Sequence, residues 1–313
     1  MKQVKTTNFG DRFFSFFTFC AAMVVLVSLA GIFISLIFES WESLSRFGFF
    51  NFIFTDDWNP VKEVFGAAIP LVGTFITTIL ALLIAIPISL GIAVFITEIC
   101  PSKLKAPLSI AIELLAAIPS IIYGMWGLFT FAPIMSEYIE PGLQFVFGDI
   151  PFIGPIFQGT PLGIDVLTAS IVLSIMIIPF ISSIARDTIL LTPQVLKESA
   201  YSIGTTEWEV IKDVILPYSK FGIYGGIIIA LGRALGETMA VAFVLGNRHA
   251  FPTSFFDATS TITVTLANEF TEADSNLYMS SLYLLSLLLF VISFIVLSFA
   301  KFIVHKGSKK WNG

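Results

Sequence analysis

The stretch LGRALGETMAV, residues 231–241, sets an arginine and a glutamate four residues apart in a run, residues 221–245, that is otherwise almost entirely apolar. What a charge does in such a run depends on its solvent, and the composition identifies the solvent. Of 313 residues, 56% are hydrophobic and 12% charged, and the mean hydropathy is +0.91. A soluble domain carries roughly a quarter charged residues. Apolar runs of ~18 residues or more recur along the chain, too many to bury in water, and they read as membrane-spanning helices. The net charge is −5 and no basic patch exceeds a short loop, which argues against nucleic-acid binding. Cys20 lies in the first apolar run and Cys100 at the end of the second. Neither has a neighbour at ligand spacing, so both read as inert rather than as a disulfide or zinc site.

The pattern predicts an all-α integral membrane protein with six spans, at about 13–38, 67–98, 107–134, 163–185, 221–247 and 281–304. A first segment of residues 1–66 holds one span and an outer loop, residues 67–304 form the core, and 305–313 a tail. The second span would be roughly 48 Å long against a hydrocarbon core of about 30 Å, and Pro87 is expected to kink it. Lys2, Lys5 and Arg12 precede the first run as they would a signal peptide, but a run of about 25 residues exceeds the 7–15 of a signal's core.

Basic residues set the orientation. One side receives Lys2, Lys5, Arg12, Lys103, Lys105, Arg186, Lys197, Lys212, Lys220, Lys301, Lys306, Lys309 and Lys310, and the other only Arg46, Lys62 and Arg248. Both termini are therefore expected in the cytoplasm. The outer loop 136–165 mixes Gly and Pro with Phe, which argues against a continuous helix and suits the headgroup layer. It reads either as an interfacial loop or as a docking surface for an external partner, a role the polar loop 248–280 could share.

The longest cytoplasmic loop, residues 186–220, reads as two short helices joined at a glycine. Thr192 is expected to cap a helix starting at Pro193 and ending at Gly204. Thr206 and Glu209 have capping-box spacing, and Pro217 is expected to stop the second helix. The apolar side chains of this elbow either pack on the span ends or enter a groove of a cytoplasmic protein.

The segment ESAYSIGTTEWEVIKDVILP, residues 198–217, resembles the EAA motif of ABC-importer permeases. It carries Glu198, Ala200, Gly204, Leu216 and Pro217 of that pattern, with Ser199 where alanine and Val214 where isoleucine is usual. The resemblance implies a type I importer permease fold whose elbow is the coupling helix received by an ATPase. LLAAIPSIIYGMWGLF (114–129) and GGIIIALGRALGETMAVAFVLGN (225–247) resemble, more narrowly, phosphate-importer permeases of the PstC type. That resemblance covers about residues 65–247. It implies a bacterial inner-membrane protein working with a second, homologous permease, two ATPase copies that use ATP and Mg, and an external phosphate-binding protein. No cofactor or metal is expected in this chain.

Arg233 and Glu237 are expected on one face of a continuous helix, where two readings stand. They form a neutralised pair that fixes packing, or they line the path of an oxyanion, to which an arginine fork can donate two parallel hydrogen bonds. Glu237 would then orient the arginine, exchange with the anion, or accept from a protonated phosphate oxygen. Gly232 and Gly236 form a small-xxx-small pair that predicts close approach of another helix. Rival functions are a permease for sulfate or molybdate, and an ion-gradient transporter, which would not need the elbow. The chain has no G-x-x-x-x-G-K-[ST] loop, so ATP must be hydrolysed elsewhere. His249 and His305 fall near opposite faces, and no catalytic constellation is visible.

Overall fold

The computed structural model describes residues 9–311. Lys2 and Lys5, and the side chains of Lys309 and Lys310, all used above for orientation, lie outside the described residues. The long helices are α1 (Phe9–Glu39), α4 (Ala68–Ile99), α7 (Val166–Leu190), α9 (Glu207–Leu235) and α12 (Asn276–Trp311). Each is long and apolar enough to cross a bilayer. Between them lie α2 (Trp41–Phe47), α3 (Phe49–Phe54), α5 (Ser102–Ala117), α6 (Ser120–Phe147), α8 (Gln194–Ser202), α10 (Met239–Val244) and α11 (Ile262–Glu269). The protein is an all-helical membrane protein.

Its centre is the packing of α4 on α7, with α9 and α10 against them. Ala81 and Ala85 of α4 are fully buried beside Val172, Met176 and Ile177 of α7 and Ala230 of α9. Small residues permit this approach where lipid offers helices no hydrophobic drive to associate. Pro87 does not interrupt α4, whose last turn, residues 95–99, widens to π geometry. The Ser89 hydroxyl donates to the Ile178 carbonyl at 3.2 Å and ties α4 to α7 near that proline. α1 has no buried residues in its most apolar window and touches the bundle chiefly along α12, where Phe33 and Phe290 lie 5.4 Å apart.

Three sequence expectations change. The third span is not one helix over 107–134: α5 and α6 meet at a 91° bend. Pro119 explains it, because a proline forces the preceding residue out of the helical region, and Ile118 is extended at ψ 128°. The Tyr123 hydroxyl donates to the Leu115 carbonyl across the bend at 2.8 Å. Residues 136–147 are helical despite Pro141 and Gly142: the turn before Pro141, residues 135–139, has π geometry, which relieves the clash a proline ring makes with the carbonyl four residues back. The fifth span ends at Leu235 and resumes as α10.

Candidate functional site

The end of α9 falls inside the stretch LGRALGETMAV. Residues 236–238 are non-helical, and their backbone groups find other partners, as a membrane interior demands. The Glu237 carbonyl accepts from the Thr263 hydroxyl at 2.7 Å, and its carboxylate Oε1 accepts from the Ala240 N–H at 3.2 Å. Glu237, 8% exposed, thus stabilises the first turn of α10.

Arg233 occupies the last turn of α9. Its guanidinium carbon lies 4.4 Å from the centre of the Phe180 ring on α7, a cation–π contact, and its Nε is buried without a hydrogen bond. Arg233 and Glu237 form no ion pair among the described residues. The i,i+4 geometry that would have joined them needs a continuous helix, and the helix breaks between them. The expected neutralised pair is therefore absent, and so is an arginine oriented by Glu237.

The glycine pair divides. A Cβ on Gly232 would sit 3.3 Å from Leu297 of α12, so a helix does approach there. Gly236 meets nothing but its own helix and is exposed. The tighter glycine is Gly124 of α6, whose Cβ would fall 2.9 Å from the Met239 carbonyl and 3.1 Å from the Ala240 Cα. The segments 114–129 and 225–247 thus touch at Gly124 and α10. Phe180, Thr263 and Tyr123 gave no signal in sequence, being an aromatic and hydroxyls of types common in any span.

The elbow takes shape with two corrections. Thr192 does not cap α8: its hydroxyl is turned into a buried contact with Ser219 at 3.3 Å, and Pro193 holds the N-cap position. Pro217 does not stop the second helix, which runs on as α9. The turn at residues 210–215 has π geometry, and such a widened turn relieves the clash a proline ring makes with the carbonyl four residues back. The Thr206–Glu209 capping box is present, with the Glu209 N–H donating to the Thr206 hydroxyl at 3.4 Å.

Gly204 turns the chain at φ +87°, a conformation costly for a residue with a Cβ. Ala200, Ile211 and Ile215 face inward and are buried, and Leu216 and Pro217 are half-buried. Glu198 and Ser199 are exposed, as are Val195, Ile203 (80%) and Trp208 (65%). Lys197 reaches Glu98 at the end of α4, 2.7 Å away and mostly shielded, which braces the elbow against the bundle.

At the opposite end, one carboxylate gathers four elements. Glu269 of α11 accepts from Trp58 Nε1 (2.5 Å) and the Tyr278 hydroxyl (2.7 Å), and its Oε1 lies 2.8 Å from His249 Nε2. Burial pushes the carboxyl up, but the bonds from His249, Tyr278 and Trp58 outweigh it and hold it below its ordinary range.

Residues 90–308 match the family described as the binding-protein-dependent transport system inner membrane component. A protein of Mesorhizobium japonicum named phosphate transport system permease protein PstC is 53% identical over 87% of this chain and 83% of its own length. One of the same name from Pasteurella multocida is 54% identical over 84% and 79%. A probable phosphate permease of Methanocaldococcus jannaschii is 37% identical over 86% and 85%. Among solved structures, a bacterial alginate ABC transporter in complex with its pentasaccharide-bound periplasmic protein superposes with a TM-score of 0.62. That likeness covers 96% of this chain and 98% of that one at 14% identity, and so speaks to fold alone.

Proposed function

From the premise that this chain belongs to the inner-membrane components of binding-protein-dependent transport systems, we propose that it is a permease subunit of an ATP-driven importer of inorganic phosphate, of the PstC type. The observation that carries the reading is the state of Arg233. It sits where α9 ends within the bundle, its charge is not neutralised by Glu237, and its guanidinium rests on the Phe180 ring. An aromatic face steadies a guanidinium while leaving its N–H edge for an oxyanion. Arg233 is the waypoint that phosphate meets while crossing, and an external binding protein does the capture.

Glu237 serves the path through the backbone. By holding α10 and receiving Thr263, it fixes the break that ends α9 at Arg233. A second, homologous permease completes the path. Two copies of a cytoplasmic ATPase supply the energy, with ATP and Mg bound there and not in this chain. Their groove receives the elbow's exposed Ile203 and Trp208, backed by Glu198, Ser199 and Ala200. The excess of basic residues on the elbow's side supports a cytoplasmic position for that side and for both termini.

Uptake of labelled phosphate by cells or vesicles carrying Arg233→Gln tests the reading. Glutamine keeps bulk and hydrogen-bonding capacity but removes the charge. Uptake should be lost while the complex still assembles and still hydrolyses ATP. Near-normal uptake, or competition by sulfate equal to that by phosphate in the wild type, would overturn it.

A further inference from the structure

We propose that the elbow-side cleft between α4, α5 and α7 binds one phospholipid whose headgroup carries both a phosphate and a primary ammonium, of the phosphatidylethanolamine class. Two cavities build the cleft. The first, about 340 Å³, has Thr97, Lys105, Ser109, Arg186 and Asp187 on its walls. The second, about 420 Å³, follows α4 from Ile88 past Gly91 and Phe95 to Ile96, facing Leu108 and Ile112 of α5. Ile96 lines both, so the polar chamber and the apolar groove adjoin at that residue. The helix from Ile88 to Ile96 rises ~12 Å, close to the ~15 Å of hydrocarbon in one leaflet. Charge at the helix ends and only carbon at depth is the pattern of an amphiphile standing in a leaflet, not of a dissolved solute.

Lys105 and Arg186 on the chamber wall are offset by Asp187 on the same wall and by Glu113, which pairs with Arg186 without lining the chamber, and this selects the headgroup. The Lys105 ammonium donates to the Thr97 carbonyl, which leaves it two further N–H bonds to give. The Ser109 hydroxyl bonds to no described residue. These two can serve a phosphodiester. Arg186 lies between Glu113 Oε1 at 3.0 Å and Asp187 Oδ1 at 2.8 Å, with both carboxylates more than half exposed. The second oxygen of Asp187, which lines the chamber, bonds to no described residue and can accept from an ammonium. A purely anionic headgroup would meet the Asp187 carboxylate, and a choline has no N–H to offer it.

Gly91 provides the probe. It is exposed, and a Cβ there meets nothing within 4 Å, so a leucine would fill the groove without disturbing helix packing. The assembled importer, purified in mild detergent from membranes containing phosphatidylethanolamine and phosphatidylglycerol, is analysed by native mass spectrometry, and the released chain is scored for bound lipid. The wild-type chain should retain one phosphatidylethanolamine. After delipidation it should take that lipid back with about tenfold preference over phosphatidylglycerol or phosphatidylcholine, the equivalent of one well-made charged contact. Gly91→Leu should lose it. Lys105→Gln should weaken it from the polar end, which keeps the test open should Gly91→Leu fail to assemble. Four results would each overturn the proposal: no retained lipid, equal retention in both variants, equal uptake of the three lipids, or displacement by millimolar inorganic phosphate. Cross-linking from position 91 to another protein subunit, which would show the groove filled by protein, would overturn it as well.

Discussion

Glu269 lets one carboxylate be weighed. It is 9% exposed, and the two donors on its Oε2, Trp58 and Tyr278, are 7% and 4% exposed. Glu269→Ala strands both. Each buried donor left unmade costs about 1–3 kcal/mol, so with two of them Glu269→Ala should destabilise the outer end by about 2–6 kcal/mol. Glu269→Gln should cost only about 1 kcal/mol. Its carbonyl oxygen can still receive Trp58 and Tyr278, and its amide can donate to His249 Nε2 once that ring carries its proton on Nδ1.

The pH dependence separates the two variants further. Because the folded-state carboxyl is held below its ordinary 4.5, its contribution is fully present above about pH 4.5 and is lost as pH falls through the depressed value. The gap between wild type and Glu269→Ala should therefore be flat above that point and shrink below it. Glu269→Gln has no carboxyl at this position to protonate, so its gap to Glu269→Ala should not follow that acid loss. Denaturant unfolding of the purified complex, followed by Trp58 fluorescence in a background with the other tryptophans replaced, reads these differences. Equal destabilisation by alanine and glutamine, or an alanine penalty under about 1 kcal/mol, would show that the donors are satisfied elsewhere.

Two further outcomes follow from the glycines. Gly204→Val faces open space but a φ of +87°, so its penalty of about 1–3 kcal/mol is backbone strain; membrane insertion should be normal while binding-protein-stimulated ATP hydrolysis falls, and unchanged stimulation would count against the elbow as the coupling element. Gly124→Ala pushes α10 from α6 through a backbone contact of 2.9 Å, so a loss of about 1–3 kcal/mol with impaired phosphate uptake is expected, and a fully stable, active variant would show that α10 can move without consequence.

The parts of this fold legible in sequence were those set by one local cause. Hydropathy placed the long helices because a bilayer demands sustained apolar runs, and the Thr206–Glu209 box and the Gly204 turn appear as read because both depend on residues within a few positions. Prolines were not legible, since a span running straight through Pro119 and a helix end at Pro217 are both overturned. Pro119 breaks the third span, whereas Pro87 and Pro217 sit within helices that continue. At Pro217 the helix takes π geometry in the turn before the proline, an accommodation that composition does not announce.

The site failed to be legible for a related reason. Reading Arg233 and Glu237 as neighbours assumed a helix through Gly236, and a lone glycine in an apolar run does not by itself end one. What ends it is the supply of replacement partners from distant sequence. Thr263 belongs to α11, yet its hydroxyl donates to the Glu237 carbonyl across 26 positions of chain. Once that bond is available, the Glu237 carboxylate is drawn to the Ala240 N–H, which only a helix starting afresh leaves open. Arg233 then has no acid within its own turn and falls back on the Phe180 ring, a contact that holds the guanidinium without cancelling its charge. An arginine and a glutamate four residues apart thus come to do separate work, one as a cation kept unpaired and the other as a cap, because a threonine on α11 makes the break between them stable.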